Sequence, residues 1–158
     1  MINNDVKIEI VTIKEWGNKS DPTEYDYISK TIRIREDYFK QMNKSNPITH
    51  HWIYYEFAHY LVATKYGKEY VIAHSNQYPD NRIERFCFAY QFYYLMETKS
   101  CNTLNDLINI DPFFKHKKIY QRWLDYYWNN AHFIISEFKS ELGNIQLTTH
   151  LTIPIFRI

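Results

Sequence analysis

The chain has 158 residues, is 45% hydrophobic, and sets 19 Lys and Arg against 18 Asp and Glu for a formal net charge of +1. That length suits one domain with a substantial core, and the near-neutral balance removes the electrostatic case for binding nucleic acid or a membrane surface. Aromatic residues reach 18%, with 15 Tyr and 10 Phe, so phenol hydroxyls need partners wherever the core buries them.

The N-terminus reads as a strand: Val6, Ile8, Ile10 and Thr12 alternate with Lys7, Glu9 and Val11. A turn-rich stretch from Gly17 to Pro22 follows. Alternation resumes from Tyr25 to Arg35 with β-branched Ile28, Ile32 and Ile34, which predicts paired strands, and a short helix is expected near Glu36 to Met42. Asn46-Pro47 marks the start of a long helix, with Pro47 near its first position. No Gly or Pro interrupts the run from Ile48 to Tyr66, and Gly67 supplies the stop. Residues 67–77 then make a polar connection. Pro79-Asp80 opens a second helix to about Thr98, Asn102 to Ile110 one short helix, and Asp111-Pro112 is a capping signature for a third long helix ending near Lys139. Gly143 breaks the pattern, and residues 144–158 return to β-branched alternation.

No stretch approaches the roughly 18 continuous apolar residues of a transmembrane helix, and Met1 to Val11 lacks the apolar run of a secretory signal. Cys87 and Cys101 form no C-x-x-C, so two free core thiols in a cytoplasmic protein are expected. Lys115-His116-Lys117-Lys118 reads as a solvated helix turn. Trp123, Tyr126, Tyr127, Trp128 and Phe133 read mostly as core, with any exposed members marking an interface. One α+β domain over residues 1–158 is the expected organisation.

The chemistry concentrates in Tyr55-Glu56-Phe57-Ala58-His59. The zinc-peptidase pattern H-E-x-x-H places two histidines four apart on one helix face to bind a zinc ion, with the intervening Glu polarising its bound water. Here Glu56 and His59 hold the second and last positions, and Tyr55 stands where the first histidine belongs. An extended segment ending in Thr31-Ile32-Arg33-Ile34 precedes this helix, and a second helix bearing Glu84 follows it.

On these residues the segment from Tyr25 to Met96 resembles the zincin metallopeptidase superfamily, in particular the small zincin-like proteins of phages and mobile elements and the ImmA/IrrE type. The resemblance implies a small N-terminal β-sheet packed on an active-site-type helix with two further long helices. It also implies zinc as cofactor, Glu56 as general base, His59 as a metal ligand, and Glu84 as the acidic third ligand, with Asp80, four residues earlier, as its rival. Tyr55 departs from the pattern, and a phenol with a pKa near 10 is a costly ligand. His74 in the following connection is the other candidate replacement. His51 lies eight residues from His59, about 12 Å along a helix, too far to share one ion with it. His50 points elsewhere.

Three readings follow. The first is a degenerate zincin used for binding or assembly, with a protein or peptide partner. The second is a zinc peptidase with a rearranged metal site. The third is an interaction protein whose Glu-x-x-His is coincidence, in which case His59 and Glu84 do not face each other. Without metal, His59 is expected to hydrogen-bond Glu84 or Tyr55, and Glu56 to pair with Arg82 or Arg85.

Overall fold

The structure, a computed structural model, describes residues 6–42 and 47–142. Strand β1 (Lys7–Val11) passes through a single helical turn, α1 (Ile13–Trp16), into β2 (Thr23–Asp26) and β3 (Thr31–Arg35). The sheet order is β1-β3-β2, with β1 parallel and β2 antiparallel to the central β3. Alternation assigns the faces of β3: Ile32 and Ile34 are buried, while Arg33 between them reaches Glu24 at 3.4 Å on one neighbour and Glu9 at 3.8 Å on the other. The expected strand from Tyr25 to Arg35 is thus parts of two strands joined by a turn. The N-terminal strand lies on the far side of β3.

Helix α2 (Glu36–Met42) falls where the sequence places it and buries Tyr38 and Met42. A 3₁₀ turn, Pro47–His50, then leads into α3 (His51–Ala73), where residues 51–58 are all buried. Gly67 does leave helical geometry, at φ 84° and ψ 177°. The helix nevertheless resumes and runs to Ala73, which corrects the expected polar connection over residues 67–77. Lys68, Glu69 and Ala73 are strong helix formers, and Tyr66 and Tyr70 stack across the break with ring centroids 4.3 Å apart.

Helix α4 (Arg82–Glu97) starts later than Pro79-Asp80 suggests, because Asn81 is its cap: the Asn81 side chain accepts from the Glu84 amide at 2.8 Å. Helix α5 (Leu104–Ile110) begins with a capping box formed by Thr103 and Asp106. The third long helix is not continuous. It is divided into a 3₁₀ turn (Lys115–Tyr120), α6 (Gln121–Asn129) and α7 (Ala131–Leu142). At the second break, Asn130 turns its side-chain amide onto the Tyr126 carbonyl at 2.8 Å. The strand or extended tail read from residues 144–158 lies outside the described residues.

The architecture is α+β: a small N-terminal mixed sheet and several long helices. The centre of the core is the antiparallel packing of α3 on α4, with β2 and β3 against α3, and α6 and α7 against α4. It is aromatic-rich. Phe88 meets Tyr55, Phe92, Phe114 and Tyr127, and Tyr54 stacks on Tyr94 with centroids 3.8 Å apart. Of the α6–α7 aromatics, Tyr127 and Trp128 are buried, while Trp123, Tyr126 and Phe133 stay exposed. Both cysteines are buried and free. No described helix is long and apolar enough to cross a membrane.

Asp111, expected as a helix cap, keeps a cap-type bond with one carboxylate oxygen and turns the other inward. Its carboxylate bonds His51 Nε2 and accepts from Trp52 Nε1 at 3.1 Å and the Phe113 amide at 2.8 Å. On the other side of the imidazole, Gln91 Nε2 of α4 stands 2.6 Å from His51 Nδ1. This fully buried histidine ties α3, α4 and the segment after α5 together.

Two outcomes follow from this architecture. Asp111→Ala strips three donors of their acceptor and should cost about 3–5 kcal/mol in urea unfolding; a loss below 1 kcal/mol would show that the junction contributes little. A Cβ at Gly67 would meet nothing within 4 Å, so Gly67→Ala should cost about 1–3 kcal/mol through backbone strain alone.

Candidate functional site

Residues 51, 55 and 59 lie four apart on α3 and so share one face. That face meets α4 running the other way. Opposite His51 is Gln91, and opposite Tyr55 and His59 is Glu84, held in the first turn of α4 by the Asn81 cap.

Glu84 joins both of its partners. The Tyr55 hydroxyl donates to Oε2, and His59 Nε2 stands 3.4 Å from Oε1. The Tyr55 and His59 rings are edge to face at 4.9 Å. A coincidental Glu-x-x-His carries the expectation that His59 and Glu84 do not meet; here they do. Glu56 makes its hydrogen bond toward the sheet, where Thr23 Oγ1 of β2 donates to it at 3.1 Å, and stays within electrostatic reach of His59 and Glu84. It pairs with neither arginine. Arg82 pairs with Glu141, and Arg85 reaches the Tyr126 hydroxyl at 3.4 Å.

The rival residues are not brought to this cluster. Asp80 is exposed ahead of α4, and His74 packs its ring on Tyr70 at 4.2 Å. Both line a surface cleft with Asn81 and Arg82, while His59 lines a different groove of about 180 Å³ with Tyr25, Tyr27, Ala63, Val71, Ser75 and Ile83. Among the described residues no group of three or more His, Cys, Asp or Glu side chains is arranged to hold a metal ion.

Burial sets the protonation of this seam, and its charged neighbours correct it. Burial pushes the Glu56 carboxyl up to about 8, against the opposing pull of His59 and the Thr23 hydrogen bond. Burial likewise raises the Cys87 thiol to about 11 and the Tyr55 phenol well above its ordinary value. For His59, burial alone would favour the neutral ring, but Cys87 and Glu84 together hold the imidazole well above its usual range. Glu84 itself resists burial and stays below the ordinary carboxyl value through His59, Tyr55 and Lys117.

Several participants carried no signal in the sequence. Lys117 is only 4% exposed, which corrects the reading of 115–118 as a solvated turn. Its ammonium lies 3.3 Å from Asp21 and donates to the Tyr78 hydroxyl. Tyr78 is in turn hydrogen-bonded to Tyr55. Thr23 and Asp21 sit in a stretch where only a turn and a strand were visible.

The raised Glu56 value has a definite sign. A carboxyl whose folded pKa exceeds its unfolded value supports the fold below about 4.5 and withdraws that support as pH rises toward about 8. Wild-type stability should therefore decline across this window by an amount on the order of 1–4 kcal/mol. Glu56→Gln should flatten the decline, as read by thermal midpoints between pH 5 and 8.5. An unchanged slope would mean that Glu56 ionises without cost.

Comparison with known proteins adds no family assignment: no family model, no curated protein and no solved structure matches this chain.

Proposed function

We propose that this chain is a degenerate zincin-like protein that binds a protein or peptide segment without hydrolysing it. The observation that carries this reading is the Tyr55 hydroxyl donating to Glu84 from the position of the first metal-binding histidine. The donors present do not fit a zinc ion. His59 faces the Glu84 carboxylate and the Cys87 thiol, but burial raises that thiol to about 11. The third position is a buried phenol held protonated, and the carboxylate oxygens already serve Tyr55 and His59. No three of the described His, Cys, Asp or Glu side chains are arranged to hold a metal ion. The helix pair that a metal would hold is closed by hydrogen bonds instead.

The groove beside His59 supports the binding half of the proposal. Tyr25 of β2 and Tyr27 form one wall, and β2 is the outermost strand on that side of the sheet among the described residues. An extended segment can add to such an edge through backbone hydrogen bonds while one side chain enters the groove.

A working peptidase is the second reading, and one observation favours it: Glu56 is pushed up to about 8, near the range suited to a general base. Its carboxylate faces Thr23, however, and the neighbouring residues supply no complete metal-ligand set.

Elemental analysis of protein purified without added metal or chelator tests the proposal, alongside His59→Ala. No stoichiometric zinc is expected in either protein. About one zinc per chain, lost in His59→Ala, would overturn the non-catalytic reading. Peptide cleavage that vanishes in Glu56→Gln with the fold intact would establish the peptidase.

A further inference from the structure

We propose that Lys117 is a second cation built into this site beside His59, acting on the Glu84 carboxylate through a directed chain of two phenols. The inference rests on the zincin-like reading and deepens it. Lys117 Nζ donates to the Tyr78 hydroxyl, Tyr78 is hydrogen-bonded to Tyr55, and Tyr55 donates to Glu84 Oε2. The far oxygen of Glu84 faces His59 Nε2 at 3.4 Å.

Donor and acceptor chemistry gives the chain one direction. An ammonium only donates, a carboxylate only accepts, and each phenol has a single proton to pass forward. With Lys117 at one end and Glu84 at the other, every hydroxyl dipole points its positive end toward the carboxylate. Such a chain strengthens itself by mutual polarisation in a buried setting.

The burial of Lys117 needs this explanation. A lysine is almost never fully buried unless paired. The visible carboxylate partner, Asp21, has a side chain that is 39% exposed and is shared with His116 at 2.7 Å. Pairing with Asp21 alone could be achieved at the surface, with the ammonium hydrated. The inward reach brings the ammonium onto Tyr78, whose ring it also overlies at 4.5 Å from the centroid. His59 faces Glu84 directly at 3.4 Å, and Lys117 adds a second positive influence from the far end of the chain. A metal is opposed twice, by the missing ligand and by the ammonium's field.

Two measurements on the full chain test this. The first is a stability cycle between Lys117→Met and Glu84→Gln, read by thermal midpoint. The drop caused by Lys117→Met should shrink to less than half in the Glu84→Gln background; additive drops would overturn the proposal, whatever the metal result. If Lys117→Met does not fold, Tyr78→Phe severs the same chain while keeping the ring, and the same criterion applies. The second is a zinc titration against a chromogenic chelator. Tyr55→His should bind one zinc, and Tyr55→His with Lys117→Met should bind it at least about tenfold tighter. Tyr55→His with Lys117→Arg, which keeps the charge, should match Tyr55→His alone. Equal affinity in all three would overturn the proposal. Coupling in the cycle together with no zinc in any variant would uphold Lys117 as a second cation acting on Glu84 and overturn the zincin-like reading.

Discussion

The seam between α3 and α4 is the constraint around which the rest is arranged. Two helices buried at the centre of a domain ordinarily meet through apolar side chains. Here the facing positions 51, 55 and 59 are His, Tyr and His, and their counterparts include Gln91 and Glu84. Each polar group taken from water must be matched by a partner, since an unmatched one costs more than a hydrogen bond usually returns. The matching is carried outward in relays. His51 is completed by Asp111 from beyond α5, Glu56 by Thr23 from the sheet, and Tyr55 by Tyr78 and Lys117 from the loop before α4 and the turn before α6. The surrounding elements are placed as much by these obligations as by aromatic packing.

Periodicity and punctuation made much of the fold legible. The alternation around Ile32 and Ile34, the helix from Glu36 to Met42 and the capped short helix ending at Ile110 all follow from local rules. The misreadings share a cause. Asp111-Pro112 carries a valid capping signature, yet one oxygen of the Asp111 carboxylate is claimed by His51, sixty positions earlier. Gly67 breaks helical geometry as a C-terminal glycine should, but the residues beyond it are helix formers and the chain continues. Lys117 looks solvated because a run of charges says nothing about which member turns inward. Local sequence states what a side chain can do, while the distant partner decides what it does.

The candidate site divides along the same line. Tyr55, Glu56, His59 and Glu84 were recognisable from spacing, and the cluster of three of them is a consequence of two helices with four-residue periodicity packed in opposite directions. That Glu56 would take its hydrogen bond from the sheet was not readable, because it depends on Thr23 arriving from β2. The result separates two carboxyls by environment: Glu84, with donors on both oxygens, stays charged, and Glu56, with one hydroxyl partner and deep burial, favours its proton.

The contact of Lys117 with Asp21 spans ninety-six positions. Closing so long a loop carries an entropic cost that only other contacts formed with it can offset. Asp21 lies between α1 and β2, so the N-terminal sheet receives this fastening only after the chain preceding α6 has folded back across the helices. During synthesis, Asp21 emerges ninety-six residues before Lys117 does. The sheet already rests on α3 through Thr23 and Glu56, so this clasp adds a long-range contact, of the kind that slows folding, to a packing that shorter separations begin.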